Sequence, residues 1–173
     1  SGVQLKATKN GDGWQLSGVA LLAESDRPCR LEYEIACGPQ WQTERCTLLG
    51  YVGAATVALD IARSVTGAWT IGGAPAVSLD GCDDIDLGFT PATNLLPIRR
   101  LGLSIGATAS VRAAWVRFPE LTIEVLEQVY TRRSRDRYLY ESAGGAFRRE
   151  LRVDEVGFVL DYPDLWRAEA SVG

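Results

Sequence analysis

Residues 79–103 read LDGCDDIDLGFTPATNLLPIRRLGL, the one stretch that breaks the β pattern found on both sides of it. It carries four acids (Asp80, Asp83, Asp84, Asp86), a turn at Thr90 and Pro91, and an arginine pair, Arg99 and Arg100. Asp84-Ile85-Asp86-Leu87 reads as a strand end. Thr90 or Thr93 suits a helix N-cap, because its side-chain oxygen accepts a free first-turn N–H. Pro91 and Pro97 fit a first helical turn, where a missing N–H is harmless, better than a helix interior. The expectation is one short helix over 93–103, with Pro97 near its start and Gly102 or Gly106 at its end. Leu95, Ile98 and Leu101 or Leu103 then face a sheet, and the arginine pair lies at the helix flank.

Outward from this stretch the chain alternates with period two. Toward the N-terminus, Asn10-Gly11-Asp12-Gly13 is a turn and 14–23 a strand. In 29–37, Leu31, Tyr33 and Ile35 share one face and Arg30, Glu32 and Glu34 the other. A strand over 41–49 puts Trp41, Thr43, Arg45 and Thr47 on one face, which is solvent or a partly polar cavity. Val57, Leu59 and Ile61 mark another strand, and 67–71 a short one. Toward the C-terminus, 110–118 reads as a strand, although Arg112-Ala113-Ala114 also suits a helix. Leu121, Ile123 and Val125 share a face, and a phase slip near Leu126 predicts a bulge. Strands at 138–140, about 147–153 and 159–162 follow, and Leu165-Trp166 docks the tail. About ten short strands in meander order favour an antiparallel sheet, and a sheet that long curls or closes. The predicted fold is mainly β with minor α. It is a single domain over 1–173, with one large curled antiparallel sheet, half-barrel or open barrel, covered by a short helix.

Composition narrows the function. The 173 residues carry a net charge of -4, which argues against nucleic acid and anionic membrane surfaces. No apolar run reaches the roughly 20 residues of a membrane span, and no signal-like apolar stretch sits near Ser1. The chain reads as soluble, not integral to a membrane, and cytoplasmic. Ser1 is not a natural start, so removal of an export signal stays open. There is no histidine, which removes Ser-His-Asp and Cys-His catalysis and most catalytic zinc sites. Cys29, Cys37, Cys46 and Cys82 form no CxxC pair and read as free, mostly buried thiols, with one interstrand disulfide as the alternative.

Three runs, DGCDDIDLGFTPATNLLPIRRLGL at 80–103, AAWVRFPELTIEVLEQVYTR at 113–132 and VDEVGFVLDYPDLW at 153–166, closely resemble the bacterial glycolipid-binding family, formerly a domain of unknown function. The resemblance runs from Trp14 to Trp166 and is weakest between Gly50 and Gly67. It implies a curled antiparallel sheet with helix cover, similar to periplasmic lipoprotein carriers and a mycobacterial lipid-binding lipoprotein. It further implies a hydrophobic cavity for a lipid or glycolipid. Fold likeness alone does not fix function.

The candidate ligand-binding residues are Asp84, Asp86, Asn94, Arg99, Arg100, Trp41, Trp115 and Tyr130. Asp84 and Asp86, two apart on a strand, face one side. As neighbouring carboxylates they suit acid–base chemistry or a divalent ion. Capping and ion pairing with Arg99 and Arg100 rank ahead of either. Arg99 and Arg100 diverge by about 100° on a helix, so one pairs with an aspartate and the other reaches ligand. Asn94 suits a sugar hydroxyl or its own turn. Trp41, Trp69, Trp115 and Tyr130 suit core packing, sugar stacking or an acyl channel. Arg132, Arg133, Arg135 and Arg137 read as a solvated hairpin tip. The reading is non-catalytic binding of an amphipathic small molecule, with no catalytic residue, no metal and no cofactor. The alternatives are a carboxylate-dependent hydrolase using Asp84 and Asp86 with Arg99, and a protein-interaction module.

Overall fold

The computed structural model describes residues 2–168. Its strands divide between two seven-stranded sheets. The first follows chain order throughout: β1 (Gly2–Asn10), β2 (Gly13–Glu24), β3 (Arg27–Cys37), β4 (Thr43–Val52), β5 (Ala55–Arg63), β6 (Trp69–Ile71) and β7 (Ala74–Pro75). The second comprises β8 (Asp84–Leu87), β9 (Thr108–Val116), β10 (Ile123–Arg132), β11 (Arg137–Ser142), β12 (Phe147–Val153), β13 (Val159–Tyr162) and β14 (Trp166–Arg167). Their order is again sequential. One sheet curls into a half-barrel, and a single short helix accompanies them. The mainly β class with minor α is as the sequence predicts. The expected single sheet is divided where β7 ends, and residues 79–103 lie at that division.

All neighbouring strands are antiparallel except β8 and β9, which pair in parallel with Asp84 opposite Ala113 and Leu87 opposite Val116. A parallel pair needs a crossover connection, and the helical segment supplies it. Thr90 opens that segment by accepting a 3.3 Å bond from Ala92 N. Pro91 then starts a 3₁₀ turn, Pro91–Asn94, which continues into α1 (Leu95–Leu101). Pro97 is the third residue of α1, inside the first turn. Gly102, with φ of 51°, ends the helix in the left-handed conformation that glycine adopts without strain. The α-helix is therefore shorter than the predicted 93–103. Two prolines favour a 3₁₀ entry, and Gly102 sets the end.

The helix lies between two cores. Leu95 and Leu96 join the cluster built on Leu31, Tyr33, Ile35, Leu48 and Ile61 of the first sheet. Ile98 joins the cluster of Tyr130, Tyr138, Tyr140, Leu151 and Tyr162 of the second. Each buried Leu or Ile contributes roughly 1.5–3 kcal/mol relative to exposure. The helix thus fastens the two sheets to each other rather than lying over one of them.

Two local departures from simple alternation matter. The β3–β4 ladder shifts register between Ala36 and Cys37. Thr43 is therefore buried while Arg45 points out and pairs with Asp60, so the four residues expected on one face are split. The buried Thr43 hydroxyl accepts a 3.0 Å bond from Ile85 N, tying β4 to β8. The expected bulge near Leu126 is absent, because β9 and β10 pair without interruption from Ile123 to Thr131. The apparent slip arises because both faces of β10 are covered: Ile123 and Val125 pack on the first core, and Gln128 and Tyr130 are buried on the other face. Gly50 permits the β3–β4 approach. A Cβ there would lie 1.9 Å from Arg30 O.

All four cysteines are free and buried. Residues 108–116 form a strand, not a helix. No helix among the described residues is long and apolar enough to cross a membrane.

Candidate functional site

Strand β8 presents its two carboxylates to different surroundings. Asp84 is 1% exposed and is gripped by Arg100, whose Nε lies 3.1 Å and Nη2 2.6 Å from its oxygens. Asp83 stands 3.7 Å from the same guanidinium and 3.1 Å from Arg63. Burial pushes the Asp84 carboxyl up, and the bonds and charge of Arg100 oppose that rise. Burial lowers Arg100, but its bonds to Asp84 outweigh that and hold it above its ordinary value. This is a sealed ion pair joining helix to strand.

Among the described residues Asp86 has no cationic partner. Its Oδ2 accepts a 2.5 Å bond from Gln128 Nε2, and its Oδ1 a long 3.5 Å bond from the Thr93 hydroxyl. Thr93 is held in place because its Oγ1 also accepts from Leu87 N at 3.1 Å. The Gln128 Oε1 faces the Tyr130 hydroxyl at 3.4 Å, and that hydroxyl accepts a 2.7 Å bond from Asn94 Nδ2. Burial raises the Asp86 carboxyl from 3.8 to about 6, against the lowering effect of Gln128 and Thr93. A half-buried carboxylate held by neutral donors in this way is common at functional sites.

Asp86 and Asn94 line a cavity of about 540 Å³, within the ~300–1,000 Å³ typical of small-molecule sites. It lies between the β8–Pro91 turn, the second sheet, and Leu22 and Ala23 of β2. Trp115, Phe118 and Phe89 form one part of its wall, and Tyr140, Phe147 and Tyr162 another. The rings brace each other edge to face: Phe89 on Phe118 at 6.1 Å, Tyr140 on Phe147 at 6.0 Å. Gly88 leaves room for the Trp115 indole, since a Cβ at Gly88 would stand 2.8 Å from its Nε1. Half-exposed Trp166 and exposed Leu165 stand at the rim, Leu165 with 60% of its surface open.

Of the residues singled out from sequence, Asp86, Asn94 and Trp115 line this cavity. Tyr130 stands directly behind it, bonded to Asn94. Asp84 and Arg100 are fastenings. Arg99 reaches elsewhere: its guanidinium lies 5.4 Å over the Trp41 ring, which itself stacks on Trp14 at 4.5 Å. Arg99 also borders a separate polar hollow of about 140 Å³ with Arg132, Arg135, Asp154 and Glu155. Neither Trp41 nor Arg99 touches the aromatic cavity. Of the three residues a hydrolase would use, only Asp86 faces it.

Sequence reading missed Phe89, Phe118, Tyr140, Phe147, Tyr162 and Trp166, and the anchoring Gln128. One signal was available. Gln128 is a lone uncharged amide at an inward strand position between Leu126 and Tyr130, where an apolar residue is the norm.

Residues 3–168 match the family model described as "Putative glycolipid-binding". The chain is also similar to the crystal structure of a DUF1089 family protein from Pseudomonas aeruginosa. That likeness has 32% identity and a TM-score of 0.84, covering 98% of this chain and 93% of that one. No curated protein matches the chain.

Proposed function

The chain belongs to this glycolipid-binding family, and on that premise we propose that it binds a lipid or glycolipid, without chemistry, in the cavity between the second sheet and the helical segment. The observation that carries this reading is the cavity itself. Its wall is mostly aromatic and aliphatic, its few polar groups (Asp86, Asn94, Thr90, Ser142) converge, and its volume suits one chain with a small head. Apolar walls draw in a hydrocarbon chain by removing its surface from water, and convergent polar groups orient the head.

A neutral fluorescent probe, N-phenyl-1-naphthylamine, tests the reading directly. It is expected to brighten on binding and to be displaced by an alkyl glycoside below its micelle concentration. Leu126→Trp, which fills the cavity with a larger side chain, is expected to weaken binding of both by about tenfold or more while the fold persists. Probe uptake that is unchanged in Leu126→Trp would place binding elsewhere and sink the proposal.

A further inference from the structure

Resting on the reading above, we infer that the bound lipid is acidic, and that Arg149 receives its ionised carboxylate at the mouth of the cavity. Strand register places this arginine. On β12 it stands two residues from Phe147 and opposite Tyr140 of β11, so it shares the inward face with two rings that line the cavity. Its guanidinium lies 4.9 Å from the Phe147 ring centroid, and Phe147 in turn stacks on Tyr162 at 6.3 Å. The arginine side chain is 33% exposed, and its neighbour Asp164 directly precedes Leu165 and Trp166 of the rim. The charge therefore sits where the cavity opens to water.

The guanidinium is only partly engaged. Nη1 donates a 2.8 Å bond to Arg148 O. Nη2 stands 3.5 Å from Asp164, whose side chain is 80% exposed. Among the described residues the Nε–H is buried and has no partner. Other arginines of the chain show what this edge of a guanidinium takes. Asp84 accepts from Arg100 through Nε at 3.1 Å and Nη2 at 2.6 Å, and Asp60 accepts from Arg45 in the same way at 2.9 and 2.7 Å. On Arg149 the corresponding edge has one distant carboxylate oxygen and a buried donor left unpaired, which is costly until an acceptor arrives. A ligand carboxylate completes the two-pronged pair by taking the place of Asp164, and its chain runs inward past Phe147.

Charge balance selects the kind of anion. One guanidinium matches one negative charge. A phosphate dianion would bring a second charge toward Asp164, and among the described residues the lining itself holds no lysine or arginine to meet it. Asp86 does not oppose the carboxylate. It lies on β8, four strand spacings from β12, ~19 Å along the sheet at ~4.8 Å each. Charges open to water are largely screened beyond ~10 Å.

The experiment lets decanoate, decyl phosphate and decyl glucoside, three probes of equal chain length, displace N-phenyl-1-naphthylamine at about pH 7.5, where the carboxylate is ionised. Decanoate is expected to bind more tightly than decyl phosphate. Arg149→Met is expected to weaken decanoate about tenfold or more and to leave the glucoside within about twofold of the parent. Asp164→Asn removes the competing carboxylate and is expected to strengthen decanoate by about two- to fivefold, again without moving the glucoside. This second variant holds the test even where Arg149→Met folds poorly, because Asp164 is exposed and asparagine tolerates its φ of 66°. Decanoate affinity unmoved by Asp164→Asn, a glucoside loss equal to that of decanoate in folded Arg149→Met, or a phosphate that outbinds the carboxylate overturns the inference and leaves the binding function standing. Failure of the parent to bind N-phenyl-1-naphthylamine or any of the three probes would instead overturn the function.

Discussion

Asp84 and Asp86 sit two residues apart on one strand, yet one end of β8 is a locked joint and the other an open floor. The difference comes from how the chain returns. After Leu87 it turns at Thr90 and Pro91 and runs back past β8, so the start of the segment meets Asp86 and its end meets Asp84. Thr93 to Arg100 covers about 10 Å if helical, and two strand residues about 7 Å, so a long arginine side chain closes the remainder. Arginine at position 100 neutralises Asp84. Thr93 and Gln128 only hydrogen-bond to Asp86, so Asp86 keeps its charge unpaired. Residue type in β8 decides little here. The residue that comes to face it decides the role.

The largest expected effect breaks the joint. Arg100→Met leaves Asp84 buried without its partner and is expected to cost about 3–5 kcal/mol in urea unfolding. Pairing it with Asp84→Leu removes the stranded charge, so most of that loss is expected to return. Alkyl glycoside affinity of the folded fraction stays as it was. A single variant as stable as the parent would show that Asp84 and Arg100 do not form the fastening described.

The floor responds in the opposite sense. Burial lifts the Asp86 carboxyl from 3.8 to about 6, so the folded protein holds this proton more firmly than the unfolded chain. Between these values the native state binds more protons than the unfolded one. The stability contributed by Asp86 is therefore full below pH ~4 and falls away as pH rises toward 6. Asp86→Asn has no such dependence. Relative to the parent, the variant is expected to gain roughly 3 kcal/mol at most between about pH 4 and 7, measured by thermal or urea unfolding at each pH. Equal pH profiles for the two proteins would contradict a desolvated Asp86 carboxylate without a cationic partner.

The joint was largely legible in the sequence and the floor was not. Adjacent acids and arginines in one short segment already implied that one arginine pairs with one aspartate, since buried charges require partners. Thr90, Pro91 and Gly102 announced the start and end of the turn and helix by their backbone preferences. The cavity wall gave no such local sign. Tyr140, Phe147 and Tyr162 come from three different strands and meet only because the second sheet brings them together. Trp41 misled for a related reason. The register shift beside β4 removes it from the alternation of that strand and stacks it on Trp14 instead. A bulge of that kind depends on long-range pairing, which period-two counting does not see.

The smallest expected effect tests whether the arginine pair is as divided as β8 itself. Arg99 and Arg100 are consecutive, and the helix turn separates their directions by about 100°. Arg99 is exposed, lies over Trp41, and donates a weak 3.4 Å bond to Val156 O. An exposed cation–π contact of this kind contributes about 0.5–1 kcal/mol. Arg99→Ala is therefore expected to cost no more than about 1 kcal/mol in urea unfolding and to leave alkyl glycoside binding within about twofold of the parent. The contrast with Arg100→Met is the informative part: neighbouring residues of one type, with costs differing severalfold because one faces a buried carboxylate and the other an open ring. A marked loss of glycoside affinity in Arg99→Ala would mean that Arg99 reaches the ligand after all, and the site would then have to extend across the helix toward Trp41.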